Sequence, residues 1–242
     1  MIGKRYAAIG CAALIAGALL AAPHRGYADG NSPAEQPAPA EPVFSSDPQI
    51  ASAQQAVLTF AKATNLPALK NALSDRSSAL IGVITAMPMA YIVEAAPEQL
   101  PDAKAAPALK RDFEAYLQSY GIDANKIFGV SAIPAKVQGH GHEFLQGLVP
   151  FANRFNGKAP NDKSDDAASQ QQALLPARLD FFKFDIVNPT HVKVTPQDPK
   201  ALHFPGVTTF EALQEDGVWK VDLGDSDKIL DTLKKAKRDA AK

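Results

Sequence analysis

The sequence predicts an α+β domain in which N-terminal helices pack on a curved antiparallel sheet of about four strands. Apolar residues recur at helical spacing through the first part of the chain, and they alternate with polar residues beyond residue 178. The 242 residues are 46% apolar and 21% charged, which excludes a wholly disordered chain and a multi-span membrane protein. With 25 basic and 26 acidic residues, the chain lacks the basic excess of a nucleic-acid-binding domain, so no nucleic-acid partner is expected.

Residues 1–28 have the pattern of a secretory signal peptide. A basic pair precedes an apolar stretch over 7–22, and small residues before and at Ala28 suit cleavage after that residue. If the signal were retained, it would anchor the protein, and this is the only membrane contact expected. Cys11 lies inside the apolar stretch and not at its end, so the segment does not match a lipoprotein signal. We therefore expect an exported protein, periplasmic or extracellular.

Removal of this segment would leave a chain with a distinct composition. It takes away three basic residues, no acidic residue and the single cysteine, so the remainder has a net charge of −4. Thiol nucleophiles, thiolate metal sites and disulfides are thereby excluded. Residues 29–48 contain five prolines among Ala, Glu and Ser, a composition typical of an extended spacer, with a proline-rich ligand motif as the alternative. A single domain is expected over 49–242.

Helix signals begin at the boundary of this domain. Asp47 provides a cap and Pro48 a first helical residue, and a second helix is predicted from about Pro67. The apolar stretch 77–96 is expected to be helical in part. Pro88 should kink or divide that stretch, because proline cannot donate the hydrogen bond of a helix interior.

The middle of the chain predicts further helices. Residues 107–121 form an amphipathic helix, opened by proline and closed by glycine. Another helix is expected near 137–155, bent at Pro150. Residues 157–171 are polar and predict a loop or insert.

Four strands and a final helix are predicted from the alternation that follows. The strands cover 179–187, 191–195, 208–212 and 219–223. Gly217 is expected to adopt a positive φ in a hairpin turn before the last strand. Trp219 lies in that strand and should face the first helix. A basic amphipathic helix is expected over 226–242.

The opening helix pair, roughly 49–80, and the closing hairpin, 207–223, resemble small secreted members of the nuclear-transport-factor-2-like superfamily, also called the cystatin-like or SnoaL-like cone fold. In that family a long first helix lies in the concavity of a sheet, and the hairpin often reads DGxWKV. The matching residues are Asp216, Gly217, Trp219, Lys220 and Val221. The resemblance covers part of the chain, and residues 85–172 exceed the usual family length. It implies a cone that encloses an apolar pocket or a partner-binding face, and family enzymes place an Asp–His pair or a Tyr–Asp set inside it.

Four residues in or beside the sheet are candidates for acid–base chemistry, namely His191, His203, Asp180 and Asp185. A histidine titrates near neutrality and can exchange a proton with a carboxylate. If the aromatic face of the first strand forms the core, both aspartates should face solvent. An isomerase- or dehydratase-type enzyme is the alternative function that these residues would support.

The stretch His140-Gly-His142-Glu143 contains candidate metal ligands. Two imidazoles two residues apart can bind one metal from an extended segment, but they diverge on a regular helix. The simpler interpretation is a polar first turn with Glu143 at the positive end of a helix dipole. No metal or other cofactor is expected.

The function expected from these observations is that of a non-catalytic module of the bacterial envelope. Its partner would be a small apolar ligand or an envelope protein. The sequence contains no phosphate-binding loop and no serine nucleophile motif, so catalysis is the less favoured interpretation.

Overall fold

The computed structural model describes residues 42–155, 179–198 and 209–240, with side chains as far as residue 235. Within these ranges the helices are α1 (Pro48–Ala61), α2 (Leu66–Ala72), α3 (Asp75–Ala95), α4 (Ala106–Ser119), α5 (Gly141–Gly147), α6 (Val149–Phe155) and α7 (Ser226–Ala240). The strands are β1 (Phe182–Asn188), β2 (His191–Pro196), β3 (Phe210–Glu215) and β4 (Val218–Asp222). The predicted α+β class is confirmed. The predictions for residues 1–41 and 157–171, and for His203, lie outside the described residues.

The sheet is an antiparallel meander with strand order β1-β2-β3-β4. Val194 pairs with Phe210, and Ala212 pairs with Val221, so these side chains share one face of the sheet. All four are almost fully buried. Helix α1 contacts every strand and lies against this face, which is therefore the core of the sheet layer.

The start of α1 follows the predicted cap. The side chain of Asp47 accepts hydrogen bonds from the backbone N–H groups of Gln49 and Ile50, at 2.9 and 3.1 Å. Val57 and Phe60 are buried on the sheet side of the helix. The predicted break is also confirmed, because α2 begins at Leu66.

Helix α3 is the centre of the helical layer, and it is not divided. It continues through Pro88 over 21 residues, so of the two expected outcomes, a kink or a division, the division does not occur. Proline removes one helical hydrogen bond, and burial of the surrounding apolar side chains compensates for that loss. By length and a mean hydropathy of 1.6, α3 could cross a membrane, but 72% of the apolar stretch is buried inside the fold. The helix contacts α4, α5 and α7.

The helix expected near 137–155 is two short helices. α5 ends at Gly147 and α6 begins at Val149, so Pro150 occupies the first turn of α6 and does not bend a single helix. The side chain of Tyr116 on α4 lies so close to Gly147 that an added Cβ would be 2.4 Å from its hydroxyl. The contact with Tyr116 leaves no space for a side chain at the end of α5.

Aromatic rings connect α4 to α5 and α6. Tyr116 stacks on Phe144 with ring centroids 5.8 Å apart, and its hydroxyl donates a hydrogen bond to the Phe144 carbonyl. Phe113 meets Phe151 edge to face at 5.2 Å. Burial raises the pKa of the Tyr116 phenol, with Tyr120 adding to that effect, because the phenolate would lose its hydration.

The β3–β4 hairpin turns through Asp216 and Gly217, whose φ angles are 50° and 80°. Positive φ at both positions is the type I′ arrangement that suits a two-residue hairpin, and it confirms the prediction for Gly217. Trp219 follows on β4 and is partly buried against the core.

Candidate functional site

Two regions of interest lie at the two ends of β4, one rich in polar side chains and the other exposed to solvent. At its carboxyl end, near Asp222, the strand adjoins the start of α3. At its amino end, Val218 and Trp219 border an open groove. We call the first region the junction and define it by Ser74, Asp75, Ser77, His142, Lys220 and Asp222.

The innermost part of the junction is a set of buried hydrogen bonds. The chain at Leu73 pairs with Val221 in a single parallel bridge, and the N–H of Ser74 donates to the Val221 carbonyl at 2.8 Å. The Ser74 hydroxyl donates to Asp222 Oδ2 at 2.6 Å and accepts from the N–H of Ser77 at 3.1 Å. Asp222 is 3% exposed, so its carboxylate depends on these partners.

Two further bonds complete this set. Asp222 Oδ1 accepts from the N–H of Gly224 at 2.8 Å, and the N–H of Leu223 donates to the Ser77 hydroxyl at 2.7 Å. Both carboxylate oxygens of Asp222 are therefore bonded within the fold. The arrangement fixes the end of β4 to the first turn of α3.

His142 connects α5 to the same turn. Its backbone N–H donates to Asp75 Oδ1 at 3.0 Å, and its Nε2 lies 2.9 Å from the Leu73 carbonyl. A carbonyl can only accept, so this contact requires the ring proton on Nε2. Nδ1 lies 3.8 Å from Asp75 Oδ1, and Lys220 Nζ lies 3.4 Å from Nε2. The imidazole therefore makes a docking contact between two helices.

The glycines around this histidine explain the motif in which it occurs. Gly139 has a φ of 75°, which glycine adopts without strain. At Gly141 an added Cβ would lie 1.9 Å from the Asp75 carbonyl oxygen and 2.6 Å from the backbone nitrogen of Ala79. The backbone of α5 thus touches the backbone of α3, and only glycine permits that approach.

The candidate metal ligands do not converge. His140 Nδ1 lies 3.2 Å from Glu143 Oε2, and both side chains are largely exposed. His142 is directed instead toward Leu73 and Asp75. Across the described ranges, no group of three or more His, Cys, Asp or Glu residues is placed to hold a metal ion.

The acid–base candidates lie on or near the side of the sheet that faces away from α1. His191 Nε2 is 3.2 Å from Glu211 Oε2, but the two groups are not aligned as a hydrogen bond. Asp185 is 45% exposed and pairs with Lys183 at 2.8 Å. Asp180 is exposed in the turn before β1. Both aspartates are accessible to solvent, as expected, and neither is shown beside His191.

A pocket of 470 Å³ adjoins the junction. Asp75 and Arg76 line it from α3, and Asp225 and Asp227 line it from the start of α7. Arg76 donates to the Gly224 carbonyl and approaches the Ser226 hydroxyl at 3.4 Å, so its guanidinium is engaged within the fold. Arg76 therefore attaches the start of α7 to α3.

The groove at the other end of β4 has a volume of 620 Å³ and a different lining. It lies between α1, the end of α2 and the first residues of β4. No charged side chain is among the described residues that line it, which are Phe44, Ala51, Ser52, Gln55, Ala56, Thr59, Asn71, Ala72, Gly217, Val218 and Trp219. Phe44 and Val218 are 39% and 55% exposed, so apolar surface is open to solvent on both sides.

Sequence reasoning anticipated one residue of this groove. The alternation in β4 placed Trp219 toward the first helix, and Trp219 does line the groove with α1 residues such as Ala56. The polar residues Gln55 and Asn71 were not anticipated, because isolated amide side chains on a helix carry no pattern. The groove is a surface gap opposite the last strand, and the sequence pattern contains no signal for such a gap.

No family model, curated protein or solved structure matches the chain. The similarity to the cone-fold superfamily therefore stays a prediction. Any function must be argued from the residues of this chain.

Proposed function

We propose that the chain is an exported, non-catalytic binding module of the bacterial envelope, with the groove between α1 and β4 as its binding surface. The observation that carries this proposal is the lining of the groove. It is open, uncharged and bordered by the single tryptophan of the chain. Concave, mostly apolar surfaces with a few polar groups are the usual form of a ligand site.

The titratable groups support a binding module more than an enzyme. His142 is engaged by a backbone carbonyl, and its neighbours Asp75 and Lys220 take part in the same junction. His191 pairs with Glu211 on the far side of the sheet from α1. An acid–base enzyme on the cone fold would need such a pair inside the cavity that receives the substrate.

The partner that we propose is a small apolar ligand or an uncharged surface of an envelope protein. Trp219 and Phe44 supply apolar area, and Gln55 and Asn71 can exchange hydrogen bonds with amides or hydroxyls. The described part of the lining carries no charge, which disfavours anionic or cationic ligands. The cone-fold resemblance agrees with this interpretation, since many of its members are non-catalytic modules.

The binding surface can be tested with the uncharged fluorescent probe N-phenyl-1-naphthylamine. Energy transfer from Trp219 to the bound probe would place the probe at the groove. Thr59→Arg should weaken probe binding at least about tenfold, because it places a bulky charge in the groove.

Thr232→Arg is the matched control. Each threonine hydroxyl donates at 2.8 Å to the carbonyl four residues earlier in its helix, but Thr232 lies on α7. The control should bind the probe as the unmodified protein does. Equal loss in both variants, or no energy transfer at all, would contradict the proposal.

Export is tested separately by sequencing the amino terminus of the protein in the envelope fraction. Cleavage after Ala28 predicts a chain that begins at or near Asp29. An intact Met1 in that fraction would show an anchored protein, and a lipid on Cys11 would show a lipoprotein. Either result would overturn the proposed processing.

A further inference from the structure

The backbone of β4 has a free edge beside the groove. The two-residue turn at Asp216 and Gly217 makes Glu215 and Val218 a hydrogen-bonded pair. Since the bonding direction alternates along a strand, Lys220 also bonds to β3. The N–H and carbonyl groups of Trp219 and Val221 then point away from the sheet.

Some backbone groups on this outer edge of β4 already have hydrogen-bond partners within the fold. The Val221 carbonyl accepts from the N–H of Ser74 at 2.8 Å, and the N–H of Leu223 donates to the Ser77 hydroxyl at 2.7 Å. These bonds confirm the outward direction of the Val221 backbone and of Leu223, the residue that follows β4. In the part of the chain that the structure describes, the backbone of Trp219 has no such partner.

The unpartnered backbone borders the uncharged groove. Trp219 contributes to both the edge and the groove lining, and the side chain of Val218, which is 55% exposed, also lines the groove. A strand placed along this edge would direct alternate side chains into the groove, over Trp219 and Ala56. The groove would select uncharged side chains there, because a buried charge would find no counter-ion in the lining.

We infer that β4 accepts an extended, uncharged polypeptide segment of another protein as an added strand, which bonds to the backbone of Trp219 and places alternate side chains in the groove. This inference rests on the proposed function and names its partner class. It extends, toward the amino end of β4, the strand-like pairing that Leu73 and Ser74 already make with Val221 on the same edge. Strand addition of this kind obtains affinity from main-chain bonds and specificity from the side-chain pockets.

The proline-rich spacer of this chain is poorly suited to pair with β4 and fill the groove. Residues 29–42 contain prolines at positions 33, 37, 39 and 42, and each removes a backbone donor. The segment also carries Glu35 and Glu41, which the uncharged lining would disfavour. A second copy of β4 is the remaining competitor, and the experiment below separates it.

Amide hydrogen exchange measured by NMR tests the inference on the exported chain. In the free protein the Trp219 amide should exchange at least about tenfold faster than the Lys220 amide, which bonds to β3. The probe is an acetylated, amidated peptide of alternating Thr and Val. Binding should slow exchange at Trp219 about tenfold or more and leave Lys220 unchanged.

A form of the peptide methylated on every backbone nitrogen provides the decisive control. The methyl groups remove the donors and obstruct pairing along both edges of the peptide, so this form should not protect Trp219. Protection equal to that given by the unmethylated peptide would show that the peptide fills the groove without main-chain bonds, and the inference would fail while the proposed function stood.

Three other results would also overturn the inference. If the Trp219 amide is protected from exchange in the free protein, and this protection rises with protein concentration, the edge binds a second copy of the chain. Protection that disappears when residues 29–41 are replaced by a Gly/Ser sequence of equal length would assign it to the spacer. Absence of peptide protection, with naphthylamine binding intact, would reject strand addition alone.

Discussion

The junction and the groove lie at opposite ends of β4, and they differ in how their polar groups are used. In the junction, Asp222 bonds through both carboxylate oxygens, and His142 bonds through Nε2 to a backbone carbonyl. In the groove, Gln55 and Asn71 are exposed, and the backbone of Trp219 has no partner among the described residues. The region with more titratable side chains stabilises the fold, and the region without charged side chains among its described residues is open to solvent.

This difference follows from the physics of burial. Charged and hydrogen-bonding side chains in a packed contact must find partners within the protein, since water is excluded. Once they have done so, they are no longer free to act on a ligand. An uncharged surface costs little free energy whether it is exposed to water or covered by a ligand, which suits reversible binding. The contrast predicts that substitutions in the junction reduce stability, whereas most substitutions in the groove do not.

The largest expected effect is that of Gly141→Ala. The new Cβ would overlap the Asp75 carbonyl oxygen, so α5 must move away from α3. We expect a loss of about 3 kcal/mol or more in the free energy of unfolding, measured by urea denaturation.

Gly129→Ala is the control for that substitution. It adds the same methyl group where no atom lies within 4 Å, so its free energy of unfolding should change by less than about 0.5 kcal/mol. Similar effects in the two variants would show that α5 and α3 do not touch as described.

Asp222→Ala should have the next largest effect. It removes a buried carboxylate and leaves the Ser74 hydroxyl and the Gly224 N–H without their acceptor, which costs about 2–3 kcal/mol. Combined with Ser74→Ala in a double-mutant cycle, it should give a coupling energy of about 1 kcal/mol. Ser52→Ala, in the groove lining, should cost less than about 0.5 kcal/mol. Strict additivity of the two junction variants would argue against the bond between them.

Trp219→Ala tests the border of the groove. A fully buried tryptophan costs about 3–5 kcal/mol when truncated, and Trp219 is only partly buried, so we expect about 2 kcal/mol. Gln55→Ala, an exposed neighbour in the lining, should change the free energy of unfolding by less than about 0.5 kcal/mol. If Trp219→Ala unfolds the protein, the residue belongs to the core and the groove loses its main binding surface.

Tyr116→Phe should have the smallest effect and a distinctive pH dependence. At neutral pH it removes one buried hydrogen bond to the Phe144 carbonyl, at a cost of about 1 kcal/mol. Burial raises the pKa of Tyr116 above the ordinary value of 10.0. The folded state therefore loses stability as the pH rises above 10.0, because the unfolded tyrosine ionises first.

The variant lacks this ionisation, so the stability difference between the two proteins should shrink above that pH. Urea denaturation at neutral and alkaline pH measures it. Parallel pH profiles would show that the Tyr116 phenol is accessible to water.

The sequence alone predicted the elements whose signals are local. The cap at Asp47, the glycine turn at Gly217 and the alternation of β1 to β4 each depend on a few neighbouring residues. Two expectations at prolines depended on tertiary packing. Pro88 does not divide its helix, whose surroundings are buried, and Pro150 lies in the first turn of a separate helix and does not bend a longer one.

The candidate site could not be predicted to the same extent. The histidine motif was visible, but its role depends on the contact of Gly141 with Asp75, residues that are distant in the sequence. The groove depends on a gap between α1 and β4, and no residue type marks a gap. Trp219 was placed on the correct face, whereas its partial exposure follows from packing that the sequence pattern does not contain.

The composition of helix α3 affects the membrane translocation that the proposed export requires. The Ser78 and Thr85 hydroxyls are buried on it, and neither has a hydrogen-bond partner among the described residues. Such groups cost the folded state free energy. A secreted chain, however, passes the translocation channel before it folds. A 21-residue apolar segment is long enough for that channel to release it laterally into the lipid bilayer, which would stop export. Hydroxyls along α3 lower its preference for lipid, so the residues that weaken the finished core would favour complete passage of the chain through the channel if it is exported as proposed.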